Sequence, residues 1–370
     1  MIGLINNFFG LFSKDIGIDL GTANTLIWVR GKGVIIREPS VVARHKKTKQ
    51  VIAIGTEAKK MLGKTPASIE TVRPLRGGVI ADFDATAAMI AHYMREVNLT
   101  SSAFTKSLIR PRVAVGIPSA VTEVERRAVW EAALSAGARE AYLVEEPMAA
   151  AIGAGVSVFQ PTGIMVVDVG GGTTEIAVIS LGGIVVNRSL KLAGDDMNEA
   201  IMHYIRLRHG LLIGEKTAEE VKMAIGSAYE PRHPRGKAKT SVKAEEKDDD
   251  AEKMAIVRGR NIETGLPKSL RITEIEIREA LAPVLAEIIE GIAEVVEEAP
   301  PELTSDILEH GILLTGGGAL LPGFDRLIVE RTHIPVVVAE DPLTTVVRGT
   351  GKVLEDMHLL NRVKVTGGLK

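Results

Sequence analysis

The sequence predicts an α/β protein built from two related domains. Apolar strands alternate with amphipathic helices along most of the chain, which is typical of mixed or mainly parallel sheets covered by helices. A strand that ends in Asp, followed by a turn with Gly and Thr and a returning strand, occurs at Asp19 and again at Asp168. These positions are 149 residues apart (168 − 19), and a chain of 370 residues is long enough for two domains. We therefore expect one copy of this unit in each domain.

Composition excludes several classes of protein. The chain has 45 Lys and Arg residues against 47 Asp and Glu, a formal net charge of −2, so it presents no overall positive field for nucleic acid. It contains no Cys, which excludes a disulfide framework and thiolate chemistry. No apolar run reaches the roughly 18 residues of a membrane-spanning helix. Glycine is abundant, with 37 residues, and aromatic residues make up only 4%, which favours backbone turns at a ligand over base-stacking platforms.

The first 13 residues predict an amphipathic helix. Their apolar side chains at the i, i+3, i+4, i+7 helical spacing are Ile5, Phe8, Phe9 and Phe12, with Ile2 beside them. A basic leader and a small-residue cleavage site are both missing, so the segment does not match a signal peptide. We expect this helix to lie in a membrane surface. The alternative is a helix that docks on the protein's own core or on a partner.

The first half of the chain predicts strands and helices in turn. Each strand is a short β-branched or alternating run, and the helices show helical apolar spacing or a recognisable cap. Thr122 followed by Glu125 forms a capping box at the start of one helix. The expected strands are Ile16–Leu20, Thr25–Val29, Arg112–Ile117 and Ala141–Val144, with extended and loop segments between the second and Gly78. The expected helices are Ala85–Val97, a segment that begins after Thr122 and stops at Gly137, and Met148–Ala154.

The second half predicts a hairpin, one long helix and a charged loop. The hairpin joins Gly163–Val169 to Thr174–Ser180, a third strand follows, and another strand is expected at Gly311–Thr315. The helix spans Arg271–Glu298, is expected to bend at Pro283, and has as its expected core face Ile275, Leu281, Leu285, Ile288, Ile289 and Ile292. Glu230–Lys253 has almost no apolar content, so we expect a solvated surface loop there. A docking site for a charged partner is the alternative.

The repeated Asp–Gly–Thr turn is suited to phosphate and magnesium. Glycine lets backbone N–H groups approach phosphate oxygens without a Cβ in the way, and the Thr hydroxyl adds a donor. An Asp at the strand end faces the same space and can hold Mg²⁺, usually through its water ligands. One such turn is common in ordinary hairpins, but two at domain spacing indicate a site. The residues are Asp19, Gly21 and Thr22 in the first copy and Asp168, Gly170, Gly171, Gly172 and Thr173 in the second.

Two further features belong with these turns. Gly316, Gly317 and Gly318 follow an apolar strand, and such a turn lets a flat ring lie on the backbone, with an ordinary loop as the alternative. Glu146 stands at a strand-to-helix turn, where a carboxylate either orients the water that attacks a γ-phosphate or favours the helix dipole. The chain has neither a G-x-x-x-x-G-K-[ST] loop nor a G-x-G-x-x-G turn that opens a helix near its first strand. It is therefore neither a P-loop nor a Rossmann protein.

These residues resemble the superfamily of actin, the DnaK-type chaperone ATPases and the sugar kinases, and within it the MreB family of bacterial actin-like cell-shape proteins. The resemblance runs from about Ser13 to Leu354. The segments that carry it are DIGIDLGTANTLIWVRGKG from Asp15, EPSVVA from Glu38, GKTPASIETVRPLRGGVIADF from Gly63, VERRAV from Val124, LVEEPMAAAIGAG from Leu143, MVVDVGGGTTEIAVISLGG from Met165, IGEKTAEEVKMAIGSAY from Ile213 and LLTGGGALLPGFDRL from Leu313.

The resemblance implies a two-domain actin-like ATPase fold. In this fold two mixed-sheet α/β domains, each with a small subdomain, enclose a nucleotide cleft. The implied divisions are an amphipathic membrane-binding helix at 1–13, a first domain at 14–153 plus 340–362 with its small subdomain at about 31–78, and a second domain at 154–339 with its small subdomain at about 195–270 and the charged loop at 230–253.

The resemblance also implies roles for individual residues. ATP or GTP is expected with Mg²⁺, which Asp19 and Asp168 hold mainly through water. Glu146 matches the carboxylate that orients the attacking water, with Asp168 and Thr173 as the other catalytic residues. The nucleotide-binding residues are Asp19, Gly21, Thr22, Ala23 and Asn24 in the first phosphate loop, Gly170, Gly171, Gly172 and Thr173 in the second, Gly316, Gly317 and Gly318 at the adenosine, and Glu219 and Lys222 at the ribose and base. An ordinary surface pair is the alternative for Glu219 and Lys222.

Function also follows from the resemblance. Members of the family form paired protofilaments at the inner face of the cytoplasmic membrane and organise cell-wall elongation and rod shape. We therefore expect slow ATP hydrolysis linked to polymerisation, a membrane-anchored adaptor and the elongation machinery as partners, and no nucleic acid. Phe104 and Leu108, in the hydrophobic segment Ser101–Ile109, are expected to add membrane contact. The alternatives are a small-molecule kinase, a chaperone ATPase and a filament that segregates nucleic acid; the kinase is disfavoured by the match in RPLRGGVIADF, which is unrelated to nucleotide.

Three features depart from the family pattern. Gly77 stands where an acidic residue usually precedes Gly78, a change expected to loosen a turn. Asn198 replaces an Asp on the second domain's side of the cleft, which bears on the hydrolysis rate rather than on nucleotide binding. The loop Glu230–Lys253 is longer and more charged than usual, and we expect it to modulate assembly.

Overall fold

The computed structural model describes residues 15–99, 110–229 and 253–365. The predicted helix at residues 1–13, Phe104 and Leu108, and all of the charged loop except Lys253 lie outside these ranges. Within the described ranges, no helix combines the length and the apolar character needed to cross a bilayer.

The first half contains ten strands and four helices among its described residues. In chain order they are β1 (Ile16–Leu20), β2 (Asn24–Val29), β3 (Gly33–Pro39), β4 (Val42–His45), β5 (Val51–Ile54), α1 (Thr56–Met61), β6 (Ile69–Val72), β7 (Leu75–Arg76), β8 (Val79–Ile80), α2 (Phe83–Leu99), β9 (Arg112–Ile117), α3 (Glu123–Ser135), β10 (Glu140–Glu145) and α4 (Glu146–Ala154).

The second half continues with the same kinds of element. In chain order its described residues form β11 (Ile164–Val169), β12 (Thr174–Ser180), β13 (Gly183–Leu190), α5 (Gly194–His209), β14 (Leu211–Leu212), α6 (Glu215–Ile225), β15 (Met254–Asn261), β16 (Pro267–Thr273), α7 (Glu274–Glu298), α8 (Pro301–His310), β17 (Ile312–Thr315), a 3₁₀ turn (Gly317–Leu320), α9 (Phe324–Thr332), β18 (Val336–Val338), α10 (Thr345–Glu355) and α11 (Met357–Val363).

Two five-stranded sheets with the same topology form the framework of the described chain. In each sheet an antiparallel hairpin is extended by one antiparallel strand on one side and by two parallel strands on the other. The strand orders are β10-β9-β1-β2-β3 and β18-β17-β11-β12-β13. The central strands β1 and β11 carry Asp19 and Asp168 near their carboxyl ends. This equivalence confirms the duplicated, mixed-sheet α/β fold that the repeated turn predicts.

Smaller sheets accompany the two large ones. The three-stranded sheet β5-β4-β6 belongs to the first half, and the sheet β14-β15-β16 belongs to the second. The short hairpin β7–β8 turns at Gly77 and Gly78, whose φ angles are +52° and +75°. A two-residue hairpin turn with positive φ at both positions favours Gly, Asn or Asp. Glycine at position 77 therefore satisfies the backbone that the turn requires.

Separate apolar cores lie in the two halves, and a third core joins them. The helices α2 and α3 pack on the first sheet, and α5 to α9 pack on or beside the second. The third core brings α4, α10 and α11 against Val166 and Ile179 of the second sheet. Helix α10 also packs against β1, so the end of the chain returns to the first half. The two sheets are therefore connected through packed helices as well as through the chain.

Two of the sequence-based expectations about elements are wrong. The long helix begins at Glu274 rather than Arg271, because Pro267–Thr273 pair with β15 and Thr273 caps the helix in a capping box with Glu276. As a result Ile275 is exposed, and Ile277 takes the buried position. The segment up to Gly78, expected to be extended or loop, also contains the helix α1. With six residues, this helix is too short to show a clear helical apolar spacing. The capping box of Thr122 and Glu125 is confirmed.

The crossing of α4 and α10 depends on two glycines. A Cβ at Gly153 would strike the carbonyl oxygen of Thr345, and a Cβ at Gly349 would strike that of Ala149. We predict that Gly349→Ala lowers the free energy of unfolding by about 3 kcal/mol, because the two backbones would have to separate. Gly214→Ala, which has open space around its Cβ, is the matched control and should cost less than about 1 kcal/mol. Equal losses in urea unfolding would contradict this view of the crossing.

Candidate functional site

Three turns meet at one cavity of about 690 Å³ that is lined by both halves. They are the β1–β2 turn, the β11–β12 turn and the turn after β17. Every nucleotide, metal or catalytic residue singled out in the sequence lines this cavity: Asp19, Gly21, Thr22, Ala23, Asn24, Glu146, Asp168, Gly170, Gly171, Gly172, Thr173, Glu219, Lys222, Gly316, Gly317 and Gly318. The fold thus brings together residues that are up to 299 positions apart (318 − 19).

The two Asp–Gly–Thr turns face each other in direct contact. A Cβ at Gly172 would lie 2.7 Å from Thr22 Oγ1, and one at Gly171 would lie 2.6 Å from the Cβ of Ala23. Thr22 Oγ1 also accepts a hydrogen bond from the backbone N–H of Gly78, at 3.1 Å. The contact requires glycine in the second turn, because any side chain there would push the two halves apart.

The third turn packs on the end of the second central strand. Thr315 pairs with Asp168 in the parallel β11–β17 ladder, which places Gly316 beside the aspartate. Gly316 has a φ of +82°, and a Cβ there would collide with Asp168 Oδ1 and the carbonyl oxygen of Val169. Glycine is therefore required for both its backbone angle and its lack of a side chain.

Four acidic side chains that line the cavity have raised pKa values: Asp19, Glu146, Asp168 and, mainly through burial, Asp195. Burial raises the pKa of Asp19 to about 7. Burial, together with the nearby charges of Asp19 and Glu175, raises the pKa of Asp168 to about 8. The pKa of Glu146 is raised well above its usual value by burial and then by the charges of Glu175, Asp19 and Asp168. No group of three or more of the described Asp, Glu, His or Cys side chains is arranged to hold a metal ion directly. A divalent cation held largely through its water ligands would relieve the repulsion among these carboxylates.

Glu146 is held by the first sheet. It is the first residue of α4, directly after β10, and Glu145 is the partner of Ile117 in the parallel β9–β10 ladder. Its Cγ would lie 3.5 Å from a Cβ at Gly116, so the side chain passes over that glycine. The carboxylate therefore depends for its position on the ends of two neighbouring strands.

Glu219 and Lys222 both line the cavity from α6, and both already have partners. Glu219 Oε2 accepts from Lys59 Nζ of α1 at 2.7 Å, and Lys222 Nζ donates to the carbonyl oxygen of Gly194 at 2.6 Å. A second bridge runs from Arg73, after β6, to Asp195 at 2.9 Å and to Glu215. These ion pairs link the smaller sheets of the two halves across the cleft, and no local sequence pattern signals them.

Asn198 lies on the second half's side of the cavity, where the sequence predicts it. It is buried, and its Oδ1 has no hydrogen-bond partner among the described residues. An Asp here would add another carboxylate to those that already line the cavity. The asparagine therefore keeps the local negative charge lower.

A second, larger and more open groove of about 950 Å³ lies between α5 and the start of α7. None of the three glycine turns, and none of the buried carboxylates Asp19, Glu146 and Asp168, lines it. The cavity between the turns is thus the one with the chemistry expected from the sequence.

Comparison with known proteins decides the family. The profile of the MreB/Mbl protein family matches residues 13–362. The chain belongs to the MreB/Mbl family. Cell shape-determining protein MreB of Escherichia coli (strain K12) is 50% identical over 361 residues, covering 96% of this chain and 98% of that protein. Cell shape-determining protein Mbl of Bacillus subtilis (strain 168) is 45% identical over 357 residues, covering 96% and 100%.

Solved structures share the MreB/Mbl fold. The crystal structure of MreB5 of Spiroplasma citri bound to ADP has a TM-score of 0.83 at 38% identity, covering 94% of this chain and 98% of that chain. The MamK double helical filament has a TM-score of 0.73 at 21% identity, covering 93% and 99%, a likeness that concerns the fold alone. The predicted actin-like fold is confirmed. As a member of this family the chain is an actin-like cytoskeletal protein of the cell-shape-determining class, and the kinase alternative is not favoured.

The carboxylates of the cavity make stability depend on pH. In protein free of nucleotide and held in a chelator, we predict that the free energy of unfolding falls as pH rises from about 4 to about 8. The pKa values of Asp19 and Asp168, about 7 and about 8, lie above those of the unfolded chain, so the folded state holds protons that the unfolded state releases in this window.

Asp168→Asn should flatten that pH profile in part, because it removes one of the buried carboxylates with a raised pKa without changing the shape of the side chain. Asp84→Asn, at an exposed position in the first turn of α2, is the matched control and should leave the profile unchanged. Urea unfolding at several pH values measures both. A wild-type slope in Asp168→Asn would refute the assignment.

Proposed function

We propose that this chain binds ATP in the cleft between its two sheets, assembles into filaments at the inner face of the cytoplasmic membrane, and hydrolyses ATP slowly in step with assembly. In this role it organises cell-wall elongation and rod shape. The observation that carries the proposal is the meeting of two Asp–Gly–Thr turns, one from each half, at a single cavity. MreB5 of Spiroplasma citri, 38% identical, is named as bound to ADP in one structure and to AMPPNP in another.

The residues present fit a magnesium nucleotide. The turns at Gly21–Asn24 and Gly170–Thr173 offer backbone N–H groups to phosphate oxygens. Asp19 and Asp168 are the residues that would hold Mg²⁺, mainly through water, and the cation supplies neutralisation of phosphate charge when bound. Gly316–Gly318 leave a flat surface for the adenosine, with Glu219 and Lys222 beside the ribose and base. ATP rather than GTP is the nucleotide we propose.

Hydrolysis needs a positioned water, and Glu146 is the residue we assign to it. It lines the cavity at the start of α4, where its carboxylate can orient a water beside the phosphate turns. Thr173, in the second phosphate turn, assists in orienting the water. Asp168 would help to fix the position of the phosphates through the Mg²⁺ that it holds. Because phosphoryl transfer relies on positioning and charge stabilisation, a site closed by two moving halves is expected to turn over slowly.

Self-association and membrane attachment complete the proposal. The closed, ATP-loaded form adds to a filament, and hydrolysis then limits the lifetime of that form. The predicted helix at residues 1–13 binds lipid through its apolar stripe, with Phe104 and Leu108 adding contact. Each anchor is weak by itself, but many on one filament act together. A membrane-anchored adaptor and the cell-wall elongation machinery are the further partners that we propose.

Sedimentation across a concentration series tests the proposed function. The purified chain is centrifuged with ATP and Mg²⁺, with ADP and Mg²⁺, or without nucleotide, in the presence of liposomes. A critical concentration that is lowest with ATP supports the proposal. A protein that stays monomeric on liposomes in all three conditions would overturn it.

Loss of the Glu146 carboxylate should separate hydrolysis from binding. We predict that Glu146→Gln lowers the rate of ATP hydrolysis by roughly 100-fold or more, within the range known for general acid–base groups, while ATP affinity changes by less than about threefold. Single-turnover hydrolysis and equilibrium binding of a fluorescent nucleotide measure the two quantities. Glu145→Gln, one residue earlier on β10, is the control and should retain most of the activity. Equal rates in both variants would exclude Glu146 from this role.

The apolar stripe of residues 1–13 should determine lipid binding. We predict that Phe8→Ser combined with Phe9→Ser reduces binding to liposomes at least tenfold, because each change removes a large apolar side chain from the buried face. Asn6→Ser combined with Asn7→Ser, on other sides of the helix, is the matched control. Flotation assays compare them. Undiminished flotation of the phenylalanine variant would favour the alternative that this helix docks on protein.

A further inference from the structure

One buried carboxylate outside the cavity lining links the two halves. Glu175 lies on β12 and is only 1% exposed. Its Oε2 accepts hydrogen bonds from both the backbone N–H and the Oγ of Ser119, at 3.0 and 3.1 Å. Its Oε1 accepts from Ser189 Oγ on β13. Ser189 belongs to the same sheet as Glu175, whereas Ser119 follows β9 of the first sheet, so the side chain spans the two halves.

Ser119, in the first half, is linked through the β9–β10 ladder to Glu146, the residue assigned to hydrolysis. Ser119 comes two residues after Ile117, the last residue of β9, and Ile117 is the ladder partner of Glu145. Glu146 follows Glu145 directly. The ends of β9 and β10 therefore move together, and a bond that fixes the turn at Ser119 also fixes the start of α4.

Neighbouring contacts leave the halves little freedom at this point. A Cβ at Gly78, in the β7–β8 turn, would lie 2.8 Å from Pro118 Cγ and 2.9 Å from Thr173 Cγ2. Pro118 precedes Ser119, and Thr173 lies two residues before Glu175. The segments of the first half at Gly78 and Ser119 thus pack against one face of the second phosphate turn.

We propose that Glu175 is a positioning residue, which transmits the placement of the second phosphate turn to Glu146 through its hydrogen bonds to Ser119. This inference rests on the proposed function and extends it. Glu175 does not line the cavity and so does not act on ATP itself. When the two halves come together, the Ser119–Glu175 bonds set the distance between β12 and the end of β9. The Glu146 carboxylate then reaches the place from which it orients water.

Hydrogen-bond acceptance rather than charge is what this role requires. A glutamine at position 175 has the same reach, keeps an oxygen for the two donors of Ser119, and turns its amide toward Ser189, whose hydroxyl can accept. An alanine has none of these contacts. The rate of hydrolysis should therefore distinguish the two variants, while ATP affinity, which depends on the glycine turns, should not.

The test measures single-turnover ATP hydrolysis and ATP affinity separately, using the full chain and a fluorescent ATP analogue for binding. We expect Glu175→Ala to lower the hydrolysis rate about tenfold or more, since a displacement of about 1 Å can cost on the order of 100-fold. Its ATP affinity should stay within about threefold of wild type. Glu175→Gln should recover most of the lost rate. A glutamine variant as slow as the alanine variant would overturn the inference, as would an alanine variant as fast as wild type.

A matched pair of serine variants keeps the test decisive if Glu175→Ala does not fold. Ser119→Ala removes a bond between the halves, and Ser189→Ala removes a bond to the same carboxylate within one half. We expect a several-fold slower hydrolysis only in Ser119→Ala. Equal rates in the two variants would contradict the inference while leaving the proposed function intact. A wild-type chain that binds ATP but never hydrolyses it, or binds none, would instead overturn the proposed function.

Discussion

Repulsion among carboxylates that share one cleft is the constraint on which the rest of the structure depends. Asp19 comes from the first sheet and Asp168 from the second, and both have pKa values raised by burial. Two like charges in one cleft are unfavourable unless a cation lies between them. We therefore expect the relative positions of the two halves to respond to what occupies the cleft. The ion pairs of Lys59 with Glu219 and of Arg73 with Asp195 act in the opposite direction, because they attract the two halves to each other.

Duplication of the sheet explains how two halves come to present matching groups. Because β1 and β11 hold the same place in sheets of the same topology, their Asp–Gly–Thr turns point into the space between the halves. The two copies differ in the other residues that they contribute to the cavity. The first sheet supplies Glu146 at the end of β10, and the second supplies the glycine turn after β17. Only the second copy has Glu175, the ladder partner of Asp168; Leu26 stands opposite Asp19 in the first.

The cleft could be predicted from the sequence because its essential features are local. A strand, an aspartate and a glycine turn are contiguous in the chain, so pattern alone identifies them. The contacts that orient the halves could not be predicted, since their partners are far apart: 160 positions for Lys59 and Glu219, and 56 for Ser119 and Glu175. The predicted start of the long helix was wrong because strand pairing between distant segments decided it. Arg271 pairs with β15 as part of β16 and does not begin α7. The apolar spacing that placed Ile275 on the core face does not locate the start of a helix, which is at Glu274.

The most direct test of the central claim is a calorimetric titration of ATP into the chain, with Mg²⁺ and again in a chelator. If both aspartates face a shared nucleotide site, one ATP binds per chain, and its affinity falls at least tenfold without the cation, because phosphate then meets unneutralised carboxylates. Equal affinity in the two conditions, or a dependence of affinity on Mg²⁺ that persists when both Asp19 and Asp168 are replaced by alanine, would contradict the account.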